Sequence, residues 1–182
     1  MENTFVKTGK CRFSYVNVFQ PRKTEDGNDP KYSLCLLIPK SDKKTYKAIQ
    51  DALEAASAKG KAKFGAAWPN KPKSPLHDGD GEKSNGDEYG DECKGCWVLN
   101  ASSKTKPEVV GADREPILDQ TELYSGCYGR VTLNFYPFVV PSNKGIACGL
   151  GNVQKLADGD ALGGGRTKAS DDFADDWDDD EI

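Results

Sequence analysis

The segment Cys127 to Phe138, CYGRVTLNFYPF, alternates apolar and polar side chains without interruption, and this restricts the fold more than any other stretch of the chain. A period of two belongs to a strand with one face on a core and the other in water. Val131, Leu133 and Phe135 therefore point inward, while Tyr128, Arg130, Thr132, Asn134 and Tyr136 point outward. Phe5 to Phe19 is also strand-like, rich in β-branched and aromatic residues, and long enough to bend around a small barrel. A turn-prone run, QPRKTEDGNDP, joins it to Lys31 to Ile38, where Tyr32, Leu34, Leu36 and Ile38 share a face; the two segments read as a long hairpin. Cys96 to Asn100, the short Glu108 to Val110 and Gly145 to Val153 complete the strand patterns.

One helix interrupts them. Ser41 or Asp42 supplies a cap, and Tyr46, Ile49, Leu53 and Ala56 recur at helical spacing until the pattern fades near Gly60 to Gly65. A single apolar stripe packs one side of the helix on the sheet. From Ala66 to Glu92, with Pro69, Pro72 and Pro75, periodicity disappears, and so long a loop is functional or disordered. The set predicts a mainly β chain: a partly open, five-stranded barrel of the OB type with one main helix and long loops. A different small β-sandwich satisfies the same patterns. Residues 1–156 form one domain, and residues 157–182 form a flexible linker and tail.

Charge is segregated along the chain. The last twelve residues, DDFADDWDDDEI, hold eight acids and no base. Setting those 8 aside leaves 21 acids against all 25 Lys and Arg, so a body of net charge +4 stands inside a chain of −4. A solvated block of like charge buries too little apolar surface to offset its ordering entropy, and the tail reads as a disordered interaction segment or a solubilising end. Asp171, Asp172, Asp175, Asp176, Asp178, Asp179, Asp180 and Glu181 provide its charge, and Phe173 and Trp177 its apolar anchors. The start, MENTFVKTGK, has no apolar signal region, and the longest apolar run, Leu34 to Ile38, is too short to span a bilayer. The expected setting is a reducing cytoplasm, with the six cysteines as free thiols.

The outward face of the alternating strand presents aromatic, cation, hydroxyl, amide and aromatic groups at every second position, as an unstacked single strand of nucleic acid requires. Bases stack on Tyr128 and Tyr136, Arg130 tracks phosphates, and Thr132 and Asn134 add sequence-tolerant hydrogen bonds. An ordinary amphipathic strand with its tyrosines under a loop has the same pattern. Lys7, Lys10, Arg12, Arg22, Lys23 and Lys31 cluster on the first hairpin with Tyr15; a bulge in so long a strand flips parity, so which of them share a face stays open. Lys59, Lys61, Lys63, Phe64, Trp68, Lys71 and Lys73 interleave cations with rings, as a closing arm or as a helix end with solvated lysines.

Catalytic and cofactor signatures are weak. Cys93-Lys-Gly-Cys96 has the spacing of half a zinc site, which His77 with Cys127 or Cys148 would complete, but the second pair is missing as a motif; two thiols flanking a turn into a strand is the simpler reading. Asp78-Gly-Asp80-Gly-Glu82 starts like a calcium loop, yet Lys83 stands where glycine is needed and Tyr89 where a bidentate glutamate is needed. Gly149-Leu-Gly151 lacks the third glycine of a dinucleotide fingerprint. The expectation is a non-enzyme without cofactor.

The segments KTGKCRFSYVNVFQP, KYSLCLLIPKSDKKTYKAI, YSGCYGRVTLNFYPF and NKGIACGLGNVQKLADGDALGG, together with the acidic end, resemble the bacteriophage single-stranded DNA-binding proteins with an OB-fold core. The resemblance runs along nearly the whole chain. It implies a protein that coats single-stranded DNA during phage replication or recombination in the cytoplasm of the bacterial host. Its tail would contact phage or host replication and recombination proteins, with duplex DNA and a homodimer as further partners. The competing reading is a protein-interaction factor whose acidic tail mimics nucleic acid and whose body does not touch DNA.

Overall fold

Phe13, Leu34, Leu36, Ile38, Leu99, Leu133, Phe135 and Val153 meet in one buried core, so the inward sides assigned from alternation do converge. The computed structural model describes residues 3–22, 30–83, 86–141 and 143–162. In chain order its regular elements are β1 (Phe5–Lys7), β2 (Cys11–Arg22), β3 (Lys31–Pro39), α1 (Lys43–Phe64), β4 (Leu76–Asp78), β5 (Cys96–Ser103), β6 (Val109–Val110), β7 (Tyr128–Val140) and β8 (Asn143–Ala157), with short 3₁₀ turns between them.

Five of these strands close a ring. β2 pairs with β3, β3 with β5, β8 with β7 and β7 with β2, all antiparallel, while β5 meets β8 in parallel. That last seam rests on a single pair, Ser102 and Gly149, so the barrel is partly open there. This is the OB arrangement expected from the strand patterns. β1 and β6 extend the sheet at its edges, and β4 lies beside β5.

Three features differ from the sequence expectation. The first long strand is two, because the chain turns at Thr8–Lys10. There Thr8 exchanges hydrogen bonds with Val131, and Gly9 donates its N–H to Thr45 Oγ1 at 2.9 Å. Second, β2 carries a bulge: Ser14 faces Cys35 and Asn17 faces Ser33, so two residues of β2 stand opposite one of β3. Tyr15 occupies it with φ +47°, a left-handed conformation that costs a tyrosine roughly 1–3 kcal/mol. Third, β4 emerges from the proline-rich stretch where no strand was expected. Leu76, His77 and Asp78 pair with Leu99, Val98 and Trp97, and Lys40 holds the end of β4 by ion pairs to Asp78 (2.6 Å) and Asp80 (2.8 Å).

α1 begins at Asp42, whose carboxylate accepts the Thr45 N–H at 3.1 Å as an N-cap. Ile49, Ala52, Leu53 and Ala56 enter the core, and Tyr46 stacks on Trp97 with ring centres 4.8 Å apart. Packing continues past β8. Tyr124 Oη donates to Asp158 Oδ1 at 3.1 Å, Arg12 Nη2 donates to the Asp160 carbonyl at 2.6 Å, and the Leu162 N–H donates to Ser125 at 2.9 Å. Among the described residues no helix is long and apolar enough to cross a membrane.

Candidate nucleic-acid interface

Pairing registers place the outward side chains in rows. On one side of the barrel, Tyr128, Arg12, Leu37, Val98 and His77 form a continuous row across β7, β2, β3, β5 and β4. The next row is Ser14, Cys35 and Asn100, and the one above it is Asn17, Ser33 and Ser102. The bulge lifts the Tyr15 ring, 67% exposed, beside these rows. Arg22 and Lys31 face each other where the hairpin ends.

The segment between β4 and β5 folds over part of this face. Tyr89, Cys93, Cys96 and Leu162 pack with Cys35, Leu37 and Val98 in a second apolar cluster. A groove of about 620 Å³ remains between that cover and β2, lined by Tyr15, Leu37, Val98, Asn100, Tyr89 and Glu92 among others. Its floor is uncharged: burial pushes the Cys35 thiol up to about 12 and raises Cys93 as well. Burial likewise pushes the Tyr89 hydroxyl up. None of the side chains of Tyr15, His77, Asn100 and Glu92 has a hydrogen bond or ion pair among the described residues.

The outward ladder of β7 is divided by this geometry. Tyr128 belongs to the first row, with Lys10 Nζ 5.2 Å and the Arg12 guanidinium 5.7 Å from its ring centre. It also lies so close to Gly159 that a side chain there would meet the ring at 2.6 Å. Arg12 is itself a clamp, donating through Nε to the Gly126 carbonyl at 3.2 Å and through Nη2 to Asp160. The remainder of the ladder climbs the opposite side, beside β1 and β8, with Lys7 next to Thr132. Three of its polar groups are already partnered. Arg130 Nε donates to Gln154 Oε1 at 2.7 Å, Thr132 Oγ1 accepts the Asn152 N–H at 2.8 Å, and Asn134 Oδ1 accepts from Thr4 Oγ1 at 2.8 Å. Tyr136, 43% exposed, stands at the far end, roughly 26 Å along the strand from Tyr128.

The remaining sequence candidates are dispersed. Trp68 folds back on α1: its indole lies against Gly60, where a side chain would meet the ring at 2.7 Å, and its Nε1 donates to Ser57 Oγ at 3.3 Å. Lys59, Lys61 and Lys63 sit in the last turns of α1, and Lys71 is exposed after it. Lys23 and the tail residues Asp171, Asp172, Phe173, Asp175, Asp176, Trp177, Asp178, Asp179, Asp180 and Glu181 lie outside the described residues. Cys93 packs in the second cluster and Cys96 opens β5; among the described residues no three His, Cys, Asp or Glu side chains gather to hold a metal ion. The groove also brings in Asn100, His77 and Tyr89, which the sequence did not single out for nucleic-acid contact. Asn100 was readable as the outward neighbour of Leu99, whereas His77 and Tyr89 owe their positions to β4 and its following segment.

Comparison with known proteins gives a consistent picture. A family model described as Enterobacter phage Enc34, ssDNA-binding protein, matches residues 4–182. The single-stranded DNA-binding protein from bacteriophage Enc34, solved in complex with ssDNA, superposes with a TM-score of 0.73 at 29% identity, covering 88% of this chain and 90% of that one. Protein p50 of Acyrthosiphon pisum secondary endosymbiont phage 1 is 29% identical over 93% of this chain and 92% of its own length. The single-stranded DNA-binding protein gp2.5 of bacteriophage T7 shares the fold, with a TM-score of 0.60 at 12% identity over 92% of this chain and 99% of that one. The family match extends from the first strand through the acidic end, and the chain belongs to the Enc34 phage single-stranded DNA-binding protein family.

Proposed function

We propose that this chain is a sequence-tolerant single-stranded DNA-binding protein that acts by binding, without catalysis, in phage DNA replication and recombination in the cytoplasm of the bacterial host. The observation that carries the reading is its kinship, over 88% of the chain, with a phage protein solved with ssDNA bound. The strand lies along the rows of β2, β3 and β5. Tyr15 and Tyr128 receive bases, each stacked base contributing about 1–3 kcal/mol. Lys10 and Arg12 at one end, and Arg22 and Lys31 at the other, neutralise phosphates. Lys7, Arg130 and Tyr136 on the opposite side, and Trp68 with Lys71 at the end of α1, are secondary contacts for a longer strand.

Residues 1–156, with the packed extension to Leu162, supply the binding body, and the rest of the chain supplies the linker and tail. Leu162 packs against the cluster of Cys35, Leu37 and Val98 that also borders the groove, and the acids of residues 171–182 follow it in sequence. Twenty residues of flexible chain reach about 25 Å. The tail occupies those cations when DNA is absent and, once displaced, engages phage or host replication proteins through Phe173 and Trp177.

Titration with oligonucleotides, followed by intrinsic fluorescence, tests this. Quenching should weaken with salt at a slope of about −0.7 per phosphate neutralised. Deleting residues 171–182 should tighten binding at low salt, and unchanged affinity refutes the tail switch. A flat signal for both proteins refutes DNA binding and favours a protein-interaction factor. The same titration with duplex DNA, and sedimentation for a homodimer, address the other partners.

A further inference from the structure

We propose that the groove over β3 and β5 holds one unstacked nucleobase and selects bases bearing an exocyclic amino group (cytosine, adenine, guanine) over thymine. This rests on the single-strand reading above. The groove has the lining for it: the aliphatic Leu37 and Val98 and the aromatic Tyr15 and Tyr89 all border it. A flat heterocycle gains contact from the rings and the aliphatic side chains together. Tyr15 reaches the groove through a backbone conformation unfavourable to its own side chain, and strain of that kind collects where a side chain must be presented.

The charge of the rim decides which part of a nucleotide enters. Glu92 and Glu82 line the groove without ion pairs among the described residues. The cation beside them, Lys83, lies 5.5 Å over the Tyr89 ring. Two carboxylates repel a phosphate, so the sugar–phosphate chain stays outside and the base alone points in. An ionised carboxylate only accepts hydrogen bonds. Cytosine N4, adenine N6 and guanine N1 and N2 offer donors, whereas thymine offers a single N–H between two carbonyl oxygens that the carboxylates repel. Asn100, with no hydrogen bond of its own among the described residues, supplies both a donor and an acceptor for the ring nitrogen beside the amino group. The rest of the interface reads no bases, so the outcome is a preference laid over tolerant binding.

Competition between an all-thymine oligonucleotide and one of equal length alternating thymine with cytosine, using the full chain, tests the proposal. The mixed oligonucleotide should bind roughly three- to tenfold tighter, the net range of one added hydrogen bond. The double variant Glu82→Gln with Glu92→Gln should abolish the preference while binding thymine as well as or better than the parent. Asn100→Ala, at an exposed position, should also reduce the preference, and it keeps the test decisive should the glutamine variant not fold. Tight, equal binding of both oligonucleotides overturns the pocket but leaves the binding function standing, as does a preference that survives in the variants. No binding of either oligonucleotide overturns the single-strand reading itself.

Discussion

Two faces of this barrel each present an amide and an exposed tyrosine, and they differ in how the polar groups beside them are bonded. The β7 side shows a cation, a hydroxyl and an amide in alternation, and each is hydrogen-bonded within the protein, through Gln154, Asn152 and Thr4 respectively. The β2–β3–β5 side shows Tyr15, Asn100, His77 and Glu92 around an apolar floor, and none of their side chains is bonded among the described residues. A group already partnered must lose one hydrogen bond before it can make another, so its net gain from a ligand is small. Residue type therefore nominates a surface, and the state of its hydrogen bonds decides whether that surface is ready for a ligand.

The sharpest way to break this contrast is Tyr15→Gly. Glycine accepts the positive φ freely, so fold stability should rise by about 1 kcal/mol while ssDNA affinity falls by about 1–3 kcal/mol, roughly five- to 150-fold. Thermal melting and fluorescence titration read the two opposite signs; unchanged affinity would move the strand off this face. Arg130→Ala should show the reverse pattern, losing about 1 kcal/mol of stability with its Gln154 bond while affinity drops less than about threefold. A loss of binding as large as that of Tyr15→Gly would make β7 the primary face.

Acid should separate the two sides more mildly. Hydrogen bonds from Lys40 hold the Asp78 and Asp80 carboxyls below their ordinary 3.8, so the stabilisation of β4 is complete above pH 3.8 and is lost as pH falls through the lowered values. The β7–β8 pairing rests on its backbone ladder. Hydrogen exchange below pH 4 should therefore open β4 before the β7–β8 pairing, and simultaneous opening would remove the distinction. The smallest effect concerns thiol reactivity. Cys96, half-buried, should react first with a thiol reagent, whereas Cys11, pushed up to about 12 by burial, and Cys148, raised further by the same cause, should react only on unfolding.

Alternation was enough to orient β7: Val131, Leu133 and Phe135 are buried as their period of two requires. It also oriented β3, whose Leu34, Leu36 and Ile38 face the core, and local chemistry located the Asp42 cap. The break between β1 and β2 was not legible, because it depends on Thr45 in a helix far along the chain. Nor was β4, whose strand character comes from its pairing with β5 rather than from its own residues. Trp68 looked like part of a mobile arm until its contact with Gly60 placed it on α1.

Taken alone, the sequence determined the β class, the inward side of β3 and β7, the helix and the separation of a cationic body from an anionic end, since these follow from periodicity, capping and charge within short windows. Tertiary structure decided which outward residues share a face and which are free to bind. Both depend on register, and the register shifts along β2, the bulge at Tyr15 among them, with partners contributed from distant strands, reset the neighbours of everything beside them.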